Sequence, residues 1–280
     1  MIDRSDHSLR ALAQLLASET GQEIAQSRAW RIETALRPLM KELGLPGLPE
    51  LVDLIEAGVD RSVRLRAVDA MLNHETSFFR DLPVFQALEH NILPALRAEA
   101  TNKVLRIWSV GCSTGMEPYS IAMMIMRMGA LWKGWKISIV ATDVSPLSID
   151  NARKGRFAQM EVQRGLPIDD LLRWFEPTGE QWEIASEIRN MVQFQADDIL
   201  SPTLPPEPFD LVLCRNVMLY FPEAARMKAC ANLERYARPG TYLLLGAGET
   251  LMGCQSLFSL NADIRCAYRA QPAAVLRQAS

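Results

Sequence analysis

The chain has 280 residues, 49% of them hydrophobic and 22% charged, with a net charge of -3 at pH 7. That balance suits one large or two modest folded domains and excludes a disordered, collagen-like or disulfide-scaffold chain. Without a strong basic field, non-specific nucleic-acid binding is not expected.

The opening residues MIDRSDHSLR are polar and carry no secretory apolar region. The most apolar stretch, residues 121–132, is interrupted by Arg127 and is too short to cross a bilayer. A cytoplasmic protein without membrane insertion is expected. The five cysteines, Cys112, Cys214, Cys230, Cys254 and Cys266, form no C-x-x-C pair and read as buried reduced thiols. The three histidines and five cysteines show no metal-ligand spacing, so no metal is expected.

Residues 1 to about 70 read as helical. Leu9, Leu12, Leu15 and Leu16 recur at helical spacing, followed by Ile24, Trp30, Leu36 and Leu39. Pro46, Gly47 and Pro49 punctuate the segment before another helix over 51–57. Arg28, Arg31, Arg37 and Lys41 concentrate positive charge, either as a solvated helix face or as a docking face for an acidic partner.

From about residue 100 the pattern changes. Apolar, β-prone runs at Val104–Val110, 135–142, Phe209–Cys214 and 241–245 alternate with helical patterns at 119–128, 148–154 and 223–237. Near-continuous apolar strands between helices predict an α/β fold whose parallel sheet is covered on both faces. Residues 182–188 and 191–194 predict a hairpin turning near Arg189-Asn190, within a small β subdomain at about 160–195. Residues 201–208 carry four prolines and predict a rigid loop.

In such sheets ligands sit at the carboxyl ends of the strands. The strand ends here offer a glycine turn at Gly111-Cys112-Ser113-Thr114-Gly115, Asp143, and Asn216. The turn is neither G-x-G-x-x-G nor a P-loop, which disfavours a dinucleotide or a nucleoside triphosphate. Glu117 at the following helix start suits a ligand amine or simply the helix dipole. Asp143 is placed to accept from two ribose hydroxyls, or to cap a helix in competition with Ser145. Asp197-Asp198 can meet a base amine or form a polar turn. A glycine turn and several acids together outline a site for S-adenosylmethionine, whose methionine end is cationic.

The segment Asn73-His74-Glu75-Thr76-Ser77-Phe78-Phe79-Arg80-Asp81 resembles the N-x-T-x-F-F-R-D/E signature of the CheR-type chemotaxis receptor methyltransferases. Ser113-Thr114-Gly115-Met116-Glu117-Pro118-Tyr119-Ser120 resembles their S-T-G-E-E-P-Y-S loop. Ala141-Thr142-Asp143 resembles A-S/T-D, and Phe209-Asp210 through Cys214-Arg215-Asn216-Val217-Met218-Leu219-Tyr220-Phe221 resembles F-D-x-I-x-C-R-N-V-x-I-Y-F. Gly248-Glu249-Thr250-Leu251 and Tyr268-Arg269 fit the last strands, so the likeness runs in order over roughly residues 25–270.

The resemblance implies a small all-helical N-terminal domain at 1–75 for receptor docking and a linker at 76–95 contributing to the active site. It implies a Rossmann-like class I methyltransferase domain at 96–280 with a small antiparallel β subdomain. It implies methyl transfer from S-adenosylmethionine, leaving S-adenosylhomocysteine, to glutamate γ-carboxylates on chemoreceptor cytoplasmic helices. By family position His74, Thr76, Arg80, Glu117, Asp143, Asp198, Ile199, Asn216 and Val217 line the cofactor site, and Arg80 and Tyr220 lie nearest the reacting groups. His74 and Asp198 stand where the family often has Asn, and Met116 where it has Glu. The short β hairpin implies that no receptor C-terminal pentapeptide tether is needed, and a monomer is expected. The alternatives are a same-fold methyltransferase with another acceptor and a non-catalytic S-adenosylmethionine sensor. Val217-Met218 after Asn216 lacks the Pro-Pro-aromatic run of base-amine methylation.

Overall fold

The computed structural model describes residues 4–24, 30–251, 253–254 and 257–272. Arg28 of the basic stretch lies outside them. The chain divides into two compact units, Met1–Asn73 with Tyr220–Ala225 and His74–Leu219 with Arg226–Ser280.

The first unit holds α1 (Arg4–Thr20), α2 (Trp30–Glu42), α3 (Leu48–Glu56) and α4 (Arg61–Met71). Leu12 and Leu16 of α1 close a core with Ile32 and Leu36 of α2, Leu51 of α3 and Ala67 of α4. The proline in the first turn of α3 needs no helical hydrogen-bond partner there. Asp60 caps α4 by accepting from the Ser62 N–H at 2.7 Å. Trp30 is not a core residue: it is 66% exposed. It precedes Ile32 by two positions, about 200° round the helix from the buried stripe of Ile32, Leu36, Leu39 and Met40.

The second unit opens with α5 (Leu82–Ala87), a π-helical turn at Leu88–Ile92 and α6 (Leu93–Glu99). Phe85, Leu88, Ile92 and Leu93 from this stretch are buried in the unit's core. Seven strands follow in the spatial order β6-β2-β1-β7-β8-β10-β9. They are β1 (Val104–Val110), β2 (Lys136–Asp143), β6 (Val192–Ala196), β7 (Phe209–Cys214), β8 (Ala237–Leu245), β9 (Phe258–Leu260) and β10 (Ala267–Ala270). The first five named run parallel, and β10 runs antiparallel to both neighbours. This is a mostly parallel, Rossmann-like sheet, in agreement with the α/β expectation. All six residues of β7 are buried, which is why its sequence is a continuous apolar run.

Chain order runs outward from β1 through β2 to β6 on one side and through β7 to β8 on the other. The β1/β7 junction is therefore a topological switch point, where open α/β sheets bind ligands. Val110 stands level with Thr142 and with Cys214, and Asp143 with Ala196, so four strand ends meet along one rim. Helices α7 (Met116–Arg127), α8 (Pro146–Lys154) and α12 (Glu223–Arg235) lie near the helical stretches expected from sequence.

The expected hairpin at 182–194 does not form. The small sheet is instead β3 (Arg156–Ala158), β5 (Gln181–Ile184) and β4 (Phe175–Thr178), in the order β3-β5-β4, with α9 (Gln159–Gln163) and α10 (Ile168–Trp174) between β3 and β4. Helix α11 (Ser186–Arg189) breaks the run after β5, and the apolar residues from Val192 pair in parallel with β2 as an edge of the main sheet. The cysteine reading also changes. Cys230 of α12 and Cys254 of the loop after β8 come to a Cα separation of 6.5 Å and form a disulfide. Cys112 and Cys214 are buried free thiols, and Cys266 is a half-buried one.

Candidate functional site

The glycine turn after β1 fits only residues that adopt positive φ. Gly111 has φ +67° and Gly115 φ +88°, and Ser113 between them sits at +50°. A Cβ on Gly111 would stand 2.4 Å from Val217 Cγ2, so the turn after β1 packs directly on the turn after β7. Asp143, ending β2, holds the glycine turn from the other side. Its Oδ2 accepts from the Ser113 N–H at 2.7 Å and its Oδ1 from the Ser145 N–H at 2.9 Å. Capping of α8 falls to Ser145, whose hydroxyl accepts from the Ser148 N–H at 3.0 Å. Of the two readings left open for Asp143, the helix cap is thus taken by its neighbour.

Glu117, in the first turn of α7, is fully engaged by two protein partners. Ser109 Oγ donates to Oε1 at 2.8 Å and Arg215 Nη1 to Oε2 at 2.9 Å. The Arg215 side chain is 1% exposed and also donates through Nη2 to the Arg80 carbonyl and to Asp81 Oδ2. Arg215 was not among the residues expected from sequence to line the site, although it stands in the quoted C-R-N run. A buried guanidinium between two carboxylates leaves the cluster one negative charge, and an arginine in this geometry presents its donors in a rigid fork.

The segment from His74 to Asp81 is locked in an unusual backbone path. Phe79 (φ +48°) and Asp81 (φ +62°) are both left-handed without being glycine, a conformation held only where surroundings enforce it. Here they do. Phe78 packs edge-on against Phe157 and Phe175, and Phe79 against Phe85. The Phe79 N–H donates to Ser120 Oγ at 3.0 Å. Ser113 Oγ donates to the His74 carbonyl at 2.9 Å, and His74 Nδ1 pairs with Ser148 Oγ at 2.9 Å. Arg80 donates through Nη1 to the Glu75 carbonyl at 2.8 Å, while Asp81 goes to Arg215; the two do not form the surface pair that their adjacency suggests. Thr76 lies half-buried in the same extended stretch.

After β6 the two acids part company. Asp197 closes the proline loop by accepting from the Thr203 N–H and hydroxyl. Asp198 accepts from the Leu200 N–H at 2.8 Å, and burial raises its carboxyl above the usual aspartate range. Ile199 is buried, its carbonyl accepting from Asn232. Burial also pushes the Cys112 and Cys214 thiols well above their ordinary value, so both stay protonated and neutral. Asn216, at φ +60°, and Val217 form the turn after β7. Tyr220 groups with the first unit, where its hydroxyl accepts from Asn73 Nδ2 and its carbonyl from the Glu23 N–H.

The rim of the sheet thus gathers Ser113, Glu117, Asp143, Asp198, Asn216 and Val217. Its acids suit a ligand with a cationic end and ribose hydroxyls, and S-adenosylmethionine has that chemistry. Residues 74–264 match the CheR methyltransferase, SAM-binding domain family. The chain is 34% identical to chemotaxis protein methyltransferase Cher2 of Pseudomonas putida over 85% of this chain and 88% of that protein. It is 32% identical to the chemotaxis protein methyltransferase of Vibrio parahaemolyticus over 94% of each. It is 34% identical to chemotaxis protein methyltransferase 1 of Pseudomonas aeruginosa over 84% of this chain and 87% of that one. The chain belongs to the CheR methyltransferase family.

Proposed function

We propose that this protein transfers a methyl group from S-adenosylmethionine to glutamate γ-carboxylates of chemoreceptor cytoplasmic helices. The observation that carries the choice of acceptor is that, among the described residues, the rim groups around the glycine turn are neutral or already hydrogen-bonded. Cys112 and Cys214 are neutral thiols, each carboxylate oxygen of Asp143 already accepts one backbone N–H, and His74 Nδ1 is committed to Ser148. An amine or hydroxyl acceptor needs a base in reach. A glutamate, with an ordinary pKa of about 4.3, is already ionised at neutral pH and needs none. The names of the three relatives given above, each a chemotaxis protein methyltransferase, support the receptor as the acceptor's source.

The cofactor supplies an electrophilic methyl group on a sulfonium. The chain's own residues bind, orient and exclude water. Asp143 accepts from the ribose hydroxyls with the lone pairs its two N–H donors leave. The Glu117–Arg215–Asp81 cluster holds a net negative charge toward the ligand's amine, and Asp198 accepts from the base amine. His74, Thr76, Ile199, Asn216 and Val217 shape the remaining wall. Arg80 orients the acceptor or the cofactor carboxylate through a single contact, since a bidentate grip would blunt the attacking oxygen. Charge is lost as sulfur and oxygen are neutralised, so positioning and desolvation of the carboxylate are the principal aids.

Helix α2 presents exposed Arg37 and Lys41 one helical turn apart. We assign this face to docking on an acidic receptor helix. The β4–β5 hairpin closes through Gly179-Glu180 with Thr178 opposite Gln181, which leaves no extended loop at its tip. That supports docking without a C-terminal pentapeptide, and tight binding of such a peptide in calorimetry would overturn this part of the reading. The test of the whole is methyl transfer from labelled S-adenosylmethionine to receptor-containing membranes.

A further inference from the structure

We propose that Glu249 is the positioning residue that holds the Asn216–Leu219 turn in its ligand-binding form; the inference rests on the reading of Asn216 and Val217 as cofactor contacts. Glu249 lies in the loop after β8, 7% exposed, and four backbone N–H groups converge on its carboxylate. Oε2 accepts from Asn216 at 2.6 Å and from Gly246 at 2.8 Å. Oε1 accepts from Val217 at 2.9 Å and from Leu219 at 3.1 Å.

Three donors so close in sequence point the same way only because Asn216 is left-handed, at φ +60°. Successive N–H groups arranged in this manner form a concave anion site. Here the anion is a side chain of the protein, and it holds the turn in a conformation that asparagine adopts at a cost. The fit is close on every side. A Cβ on Gly246 would stand 2.6 Å from Glu249 Oε2 and 2.9 Å from the Asn216 nitrogen. Val217, fixed by the same carboxylate, packs against Gly111, where a Cβ would meet it at 2.4 Å. One carboxylate therefore joins the loop after β8, the turn after β7 and the glycine turn after β1, and among the described residues its hydrogen-bond donors are all backbone N–H groups. A glutamine in its place offers one acceptor oxygen and turns an NH2 donor toward N–H donors, so only a carboxylate satisfies all four.

The test uses the full chain, with S-adenosylhomocysteine as the probe in titration calorimetry. Glu249→Gln is expected to weaken binding about 10- to 100-fold, in the range seen when groups that orient ligand-contacting residues are removed. Amide hydrogen exchange should show lost protection confined to residues 215–219, with β7 still protected. Gly246→Ala, which crowds the carboxylate without removing it, should give the same pattern and serves if Glu249→Gln does not fold. Unchanged affinity in a folded variant overturns the proposal, as does lost protection spread over the whole sheet. Asp143→Ala separates this from the cofactor-site reading: if it too leaves affinity unchanged, the site assignment is at fault rather than the role of Glu249. Binding is read without any acceptor, so failure of receptor methylation leaves the result standing.

Discussion

Arg80→Ala should lower kcat about 100-fold while S-adenosylhomocysteine affinity changes by less than about threefold, as expected for a group that orients rather than binds. A loss confined to affinity would reassign Arg80 to cofactor binding. Asp143→Ala should do the reverse, weakening the cofactor, because it also leaves the Ser113 and Ser145 N–H groups without their acceptor. Each buried donor so orphaned costs about 1–3 kcal/mol. Asp198 gives a pH-dependent prediction. Burial raises its folded-state pKa, so its contribution to stability is full below the ordinary aspartate value and is lost as pH rises through the raised one. Asp198→Asn should therefore melt higher than the parent at neutral pH, with the difference closing toward pH of about 4. A melting difference independent of pH would contradict this. At this scale the sequence marked Asp143, Glu117 and Asn216 by their places at strand and helix ends. It could not mark the role of Glu249, because a carboxylate that gathers main-chain donors from its own loop and from the turn after β7 leaves no local pattern.

Among the elements, the 74–81 segment depends on neighbours remote in sequence. Gly165 (φ +87°) approaches Phe78 so closely that a Cβ would lie 2.2 Å from the Phe78 carbonyl oxygen. Gly165→Ala should displace the turn carrying Arg80 and lower kcat about tenfold or more, given the sensitivity of catalysis to misplacement near 1 Å. A variant with normal turnover would show that the turn tolerates the shift. Arg127 ties α7 to Asp170 of α10 and lies over the Phe79 ring. Arg127→Ala strands the nearly buried Asp170, and calorimetric melting should fall by several degrees, about 2–4 °C for each kcal/mol lost in a unit of this size. The main strands were legible from apolar runs, since parallel strands buried on both faces leave that signal. The small sheet was misplaced because its strands are three or four residues long and half exposed. The apolar run at Val192 belonged to the edge of the large sheet instead.

Over the whole molecule, the two units present different side chains outward. The helical unit buries one apolar stripe per helix and leaves Arg37 and Lys41 outward, while the sheet unit concentrates its acids and strained turns along one rim. No helix among the described residues is long and apolar enough to cross a membrane. The fold class was readable from strand and helix alternation, and the family from the short motifs taken in order. The disulfide between Cys230 and Cys254 was not, because the two cysteines are 24 residues apart in unrelated elements. The most direct test of the central claim is transfer of label from methyl-labelled S-adenosylmethionine to receptor-containing membranes, followed by mild base. Release of labelled methanol, slowed about 100-fold in Arg80→Ala, is the predicted result and marks a carboxyl methyl ester. Base-stable label on the receptor, or none from protein that binds S-adenosylhomocysteine, would contradict glutamate methylation.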